Sequence, residues 1–153
     1  MLNTGWIAAS NRYSRGISCA VGATGPIVPQ LSPPRNIKVN GSDFFSGQTG
    51  VGASPIISWS APTIGTPNYY RLTIYRLVAT NLGHTVRQAI TTLHTPNTSI
   101  MLPALLTSQP NSAYVVVLEA IGSTAGPALD ITKPFQGQLN MASATVSSGL
   151  LTP

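Results

Sequence analysis

The chain has 153 residues, enough for one domain with a real core plus an arm. Only 7% of them are charged, against about 25% in ordinary soluble domains, yet 42% are hydrophobic, which excludes disorder driven by charge. With 14 Gly, 13 Pro, a single Glu (Glu119) and a net charge of +5 that comes from a shortage of acids, the composition excludes long helices and favours short strands joined by turns.

Residues 1–31 read as a Ser/Gly/Ala-rich N-terminal arm, an extra strand or the tail of a preceding domain. Two apolar runs of strand length, Trp6–Ala9 and Ile17–Val21, lie within it. Trp6–Ala9 is too short for the apolar stretch of a signal peptide, and no basic segment precedes it. Gly22-Ala23-Thr24-Gly25-Pro26 echoes Gly122-Ser123-Thr124-Ala125-Gly126-Pro127, each after an apolar run. Pro33 and Pro34 then set an extended entry, and the alternation at Ile37 and Val39 predicts a first strand with one buried face. Asn40-Gly41 is a turn signal. A Gly-rich loop over 43–54 follows, with Phe44-Phe45 as its anchor. Ile56-Ile57-Ser58-Trp59-Ser60 is β-branched and aromatic and ends at Pro62, so it predicts a second strand.

Tyr69–Val78 alternates strictly, with Tyr70, Leu72 and Ile74 on one face and Tyr69, Arg71, Thr73 and Tyr75 on the other. Arg87–Leu93 predicts a weaker strand and Thr98–Leu102 a short one, with Ile100 and Leu102 inward. Tyr114–Ile121 carries the strongest strand pattern. A Gly/Pro-rich loop covers 122–137, Leu139–Val146 closes the set, and 149–153 read as a tail. This is the signature of an all-β chain: a two-sheet antiparallel β-sandwich of about seven strands over 32–148 with an N-terminal extension. The core is predicted around Trp59, Tyr70, Leu72, Tyr114 and Val116.

Several of these segments resemble a fibronectin type III domain over residues 32–147. The matching residues are Pro33-Pro34-Arg35-Asn36-Ile37-Lys38-Val39, Ile57-Ser58-Trp59-Ser60-Ala61-Pro62 and Tyr70-Arg71-Leu72-Thr73-Ile74-Tyr75. Leu105, Pro110 and Tyr114-Val115-Val116-Val117-Leu118-Glu119-Ala120 complete the match. The resemblance implies that Trp59 packs under the third strand and that Tyr114 forms a corner at the opening of the sixth. It departs from the family at Ser108, where a Leu is usual, so that Leu105 or Leu106 must fill the site through a longer loop. What it implies for function is a non-catalytic spacer, protein-binding or adhesion unit of a cell-surface or secreted protein. Binding would then fall to the outer sheet face or to the loops around Thr63–Asn68 and Gly122–Gln138.

Catalytic chemistry finds few groups. An acyl-transfer site needs a nucleophile, a base and an orienting group, but the histidines are only His84 and His94 and no Gly-x-Ser-x-Gly elbow occurs. Asp43, Glu119 and Asp130 are the only acids, too few for a strong calcium site, and two histidines with one cysteine fall short of zinc. The expectation is therefore no enzyme, no cofactor and no metal. Gly47, Gly50 and Gly52 precede Pro55-Ile56-Ile57, a strand rather than the helix a phosphate cradle needs. Cys19 reads as a small buried hydrophobe. The eight cations are spread from Arg12 to Lys133 without a run, which argues against nucleic acid, and no apolar stretch is long enough for a membrane helix. Asn40-Gly41-Ser42 and Asn97-Thr98-Ser99 match the N-glycosylation pattern and serve equally as turns. No Arg-Gly-Asp triplet is present.

One face stands out. The third and sixth strands are neighbours in such a sandwich, and their outward phases carry Tyr69, Arg71, Thr73 and Tyr75 beside Val115, Val117, Glu119 and Ile121, with Arg71 and Glu119 placed to pair. An apolar and aromatic patch of this kind marks something that covers it. The candidates are residues 1–31, a neighbouring domain or another protein, and the partner-binding residues are predicted as Tyr69, Arg71, Tyr75, Val115 and Val117. Two other functions fit the same composition. One is a self-assembling fibre, pilus-like or coat subunit. The other is a carbohydrate-binding module in which Tyr69, Tyr75 or Trp6 stacks on sugar rings.

Overall fold

The computed structural model describes residues 13–16, 29–104, 112–123 and 141–153. Trp6–Ala9, Ile17–Val21, Cys19, Leu105, Pro110, Asp130 and Lys133 lie outside them. Among the described residues nine strands run β1 (Tyr13–Gly16), β2 (Arg35–Val39), β3 (Ser42–Asp43), β4 (Ile56–Ser60), β5 (Tyr69–Ala79), β6 (Thr85–Thr95), β7 (Ser99–Met101), β8 (Ala113–Ser123) and β9 (Met141–Ser147). They form a five-stranded sheet, β1-β9-β8-β5-β6, and a four-stranded sheet, β3-β2-β4-β7, with every strand pair antiparallel. The chain is an all-β two-sheet sandwich.

The first hairpin follows from Asn40-Gly41. Val39 pairs with Ser42, and the two turn residues have φ of 48° and 86°. Both angles are left-handed, which Asn and Gly tolerate and which a two-residue hairpin loop demands. Asn40 also ties down the Gly-rich loop. Its Nδ2 donates to Val51 O at 2.9 Å, and its Oδ1 accepts from Ile56 N–H at 2.9 Å. With its amide engaged in this way, Asn40 holds the turn and the loop together.

The core lies where the inward phases of the two sheets meet. Ile57 and Trp59 from β4 face Tyr70, Leu72 and Ile74 from β5 and Tyr114, Val116 and Leu118 from β8, all buried. Trp59 and Tyr70 pack edge to face with ring centroids 5.1 Å apart. Tyr114 is 1% exposed, and its hydroxyl has no hydrogen-bond partner among the described residues. The segment upstream of it, to which a corner tyrosine would bond, lies outside those residues. Phe44 is fully buried and meets Phe45 at 86°, so the Phe44-Phe45 pair anchors its loop as expected.

Two parts of the fold carry no alternation in the sequence. β1 adds to the edge of β9, with Tyr13 opposite Thr145 and Gly16 opposite Ala142. Residues 13–16 of the arm are therefore an extra edge strand, while Leu31 at its other end is buried in the core. Residues 149–153, expected to trail as a tail, are stitched into the sandwich instead. Leu151 exchanges two backbone hydrogen bonds with Tyr114, at 2.8 and 2.9 Å, and is fully buried. Gly149 donates to Phe44 O at 2.9 Å, and Gln48 bonds to both Leu150 and Thr152. The end of the chain thus laces the loop after β3 to the start of β8, joining the two sheets. A Cβ on Gly149 would meet Ser46 O at 2.5 Å, so only glycine permits that approach.

Candidate functional site

β5 and β8 pair without interruption over nine residues, Tyr69 opposite Ile121 through Leu77 opposite Ala113. That register sets Arg71 directly across from Glu119. Nε of Arg71 donates to Oε2 of Glu119 at 2.9 Å, and Nη2 donates to the same oxygen. The guanidinium side is 45% exposed and the carboxylate side 14%, so the pair sits at a partly desolvated spot on the outer face. Thr73 and Tyr75 continue the row on β5, and Val117 lies opposite Thr73. Tyr69, Tyr75, Val117 and Glu119 are half-buried.

The structure corrects the predicted patch at two positions. Val115 and Ile121 lie on the outward phase, yet they are 6% and 1% exposed and neither belongs to the central core cluster. Each stands opposite a tyrosine, Tyr75 and Tyr69 respectively, the position from which a large ring shields a smaller cross-strand neighbour. Val115 is therefore no open contact residue. The accessible face consists of Tyr69, Arg71, Thr73, Tyr75 and Val117, with Glu119 beneath Arg71.

His94 belongs to this face and was not among the predicted residues. It pairs with Arg71 from the other side, and its ring meets that of Tyr69 at 5.6 Å and 62°. The predicted strand stops at Leu93, two residues before the observed end at Thr95. The signal that places His94 is the phase of the strand: Tyr70, Leu72 and Ile74 pair with Thr95, Leu93 and Thr91, leaving Thr92 and His94 outward. Burial lowers the imidazole pKa from its ordinary value. Arg71 acts in the same sense, while Glu119 opposes. Burial raises the Tyr69 phenol, Arg71 works against the rise and Glu119 adds to it. The four groups form one polar knot in a field of hydroxyl and apolar side chains.

A second, smaller place lies among the loops predicted to bind. Gly65, Thr66, Gln30 and Leu31 meet Gly122 and Ala142 around a cavity of about 210 Å³ at one end of the sandwich. Gly65 has φ of 73°, and a Cβ there would stand 2.2 Å from Gln30 O, so the wall is backbone held close. It is smaller than the roughly 300–1,000 Å³ of usual small-molecule sites. The rest of the predicted Gly122–Gln138 loop lies outside the described residues, as does Trp6. Among the described residues no three His, Cys, Asp or Glu side chains gather as metal ligands, and no helix is long and apolar enough to cross a membrane.

No family model matches the chain, and neither do any curated proteins or solved structures.

Proposed function

We propose that the chain is a non-catalytic fibronectin type III-like module that spaces its neighbours or docks a protein partner, in a secreted or cell-surface setting. The observation that carries the docking half is the outer face of β5 and β8. There Tyr69, Tyr75 and Val117 ring a single ion pair of Arg71 and Glu119, the mix of aromatic anchor and arginine that protein contacts favour. The family half is supported by the division of strands. Leaving aside β1 and β3, the first, second and fifth strands share one sheet, and the third, sixth and seventh share the other with the fourth. Immunoglobulin-like sandwiches separate first, second and fifth from third, sixth and seventh in the same way. The contact of Trp59 on the second strand with Tyr70 on the third is a further point in its favour.

The test is a charge placed on the face. Tyr75→Glu and Val117→Glu are expected to lower the thermal midpoint by roughly 5 °C or more, because a covered patch must desolvate the new carboxylate. Scanning calorimetry reads the shift. Variants as stable and soluble as the parent would remove the proposed contact surface.

A further inference from the structure

Three of the four sheet edges are guarded. In the four-stranded sheet the edge strands are β3, two residues long, and β7, three residues long. In the five-stranded sheet β1 covers the edge of β9. The fourth edge is β6, 11 residues long and paired among the described residues only with β5. It contains no Pro, Lys or acid, and most of it is exposed. A long open edge is a template for another strand, and proteins that must stay single usually shorten, charge or cover it.

The direction of the free backbone groups is fixed by the hairpin end. Thr80 N–H bonds His84 O at 2.7 Å, so the even residues of β5 turn toward β6. The register then leaves the N–H and C=O groups of Thr85, Arg87, Ala89, Thr92 and His94 pointing to the open side, without hydrogen-bond partners among the described residues. The change from odd to even positions comes from a bulge. Ala89 pairs with Tyr75 and Thr91 with Ile74, which leaves Ile90 as the extra residue.

We infer that β6 is a self-pairing edge: two copies of this chain join antiparallel through it, about a two-fold axis near Ile90. The bulge selects a copy over a foreign straight strand. A straight partner must shift register at Ile90, as β5 does. An antiparallel copy meets bulge with bulge, so odd residues of one strand face even residues of the other without a shift. That register sets Thr85 opposite the copy's His94 and Arg87 opposite the copy's Thr92. Arg87, the one fixed charge on the strand, then never faces its own mate, which a register centred on Arg87 would force. A closed two-fold pair also uses up the edge on both chains, so assembly stops at two.

Sedimentation velocity of the whole chain at roughly 100 µM, where small interfaces associate, should show a dimer. Thr92→Pro removes an outward N–H while sparing the β5 ladder, and should raise the dimer dissociation constant at least about tenfold with an unchanged near-ultraviolet spectrum. Thr92→Lys sets two cations opposite each other and should raise it roughly threefold. Adding Arg87→Glu to Thr92→Lys should restore the parent value, since the two positions meet only across the axis. A monomeric parent, a Thr92→Pro chain as dimeric as the parent, or no rescue by the double variant each overturns the proposal. Val117 lies on the sheet face and not on this edge, so Val117→Glu is expected to leave the dimer intact and keeps this test separate from that of the docking face.

Discussion

His94 and Tyr69 are shifted in opposite directions by the same cause. Burial disfavours the charged form of each, the imidazolium of one and the phenolate of the other. For His94, whose folded pKa is lowered, the unfolded chain takes up its proton first as pH falls below about 6.5. Stability therefore declines through the window from that value down to the lowered folded pKa, and levels off beneath it. Tyr69 gives the mirror image, a decline that begins as pH rises past the ordinary phenol value of about 10. His94→Gln should flatten the acid-side slope and leave the alkaline one, as read by urea midpoints from pH 7.5 to 5, a range chosen around the roughly 6.5 reference. An unchanged acid slope would show that the imidazole is not held in the knot. The Arg71–Glu119 bond is partly exposed and contributes at most about 1 kcal/mol, so it orients the face more than it stabilises the fold.

At the level of elements, the C-terminal lace has the largest consequence for its length. Leu151 is fully buried and closes a two-bond bridge to Tyr114. Leu151→Ala should cost about 2–5 kcal/mol, the range for emptying a buried leucine site, measured by chemical denaturation. A loss typical of a frayed end, below about 0.5 kcal/mol, would contradict the stitched terminus. Nothing in Leu150-Leu151-Thr152-Pro153 announces this, because four residues hold no period to read and the partner, Gln48, lies about a hundred positions away. β5 and β8 were legible because alternation over 8–10 residues admits only one face to the core. β2, β4 and β7 were legible from β-branched residues bounded by Pro, Asn and Gly. β6 was read only in part. The extra residue at Ile90 inverts the phase midway, so the pattern before the bulge does not predict the pattern after it. The same inversion hid His94 from the predicted face, while Arg71 and Glu119 were found because β5 and β8 pair without a bulge.

The whole molecule divides its labour between faces, edge and core. One sheet carries the open face and the open edge, and the other, with its short edge strands, mainly closes the core. All of it depends on Trp59 and Tyr114 being held between the layers, at 6% and 1% exposure. If the layers separate, the register that brings Arg71 to Glu119 and leaves β6 at the margin has no support. The most direct measurement is the unfolding free energy of Trp59→Ala by urea titration. A sandwich packed around this indole predicts a loss of about 3–5 kcal/mol with a cooperative transition retained or the chain unfolded. A loss below about 1 kcal/mol, with native near-ultraviolet tyrosine signals intact, would contradict the two-layer core and everything placed upon it.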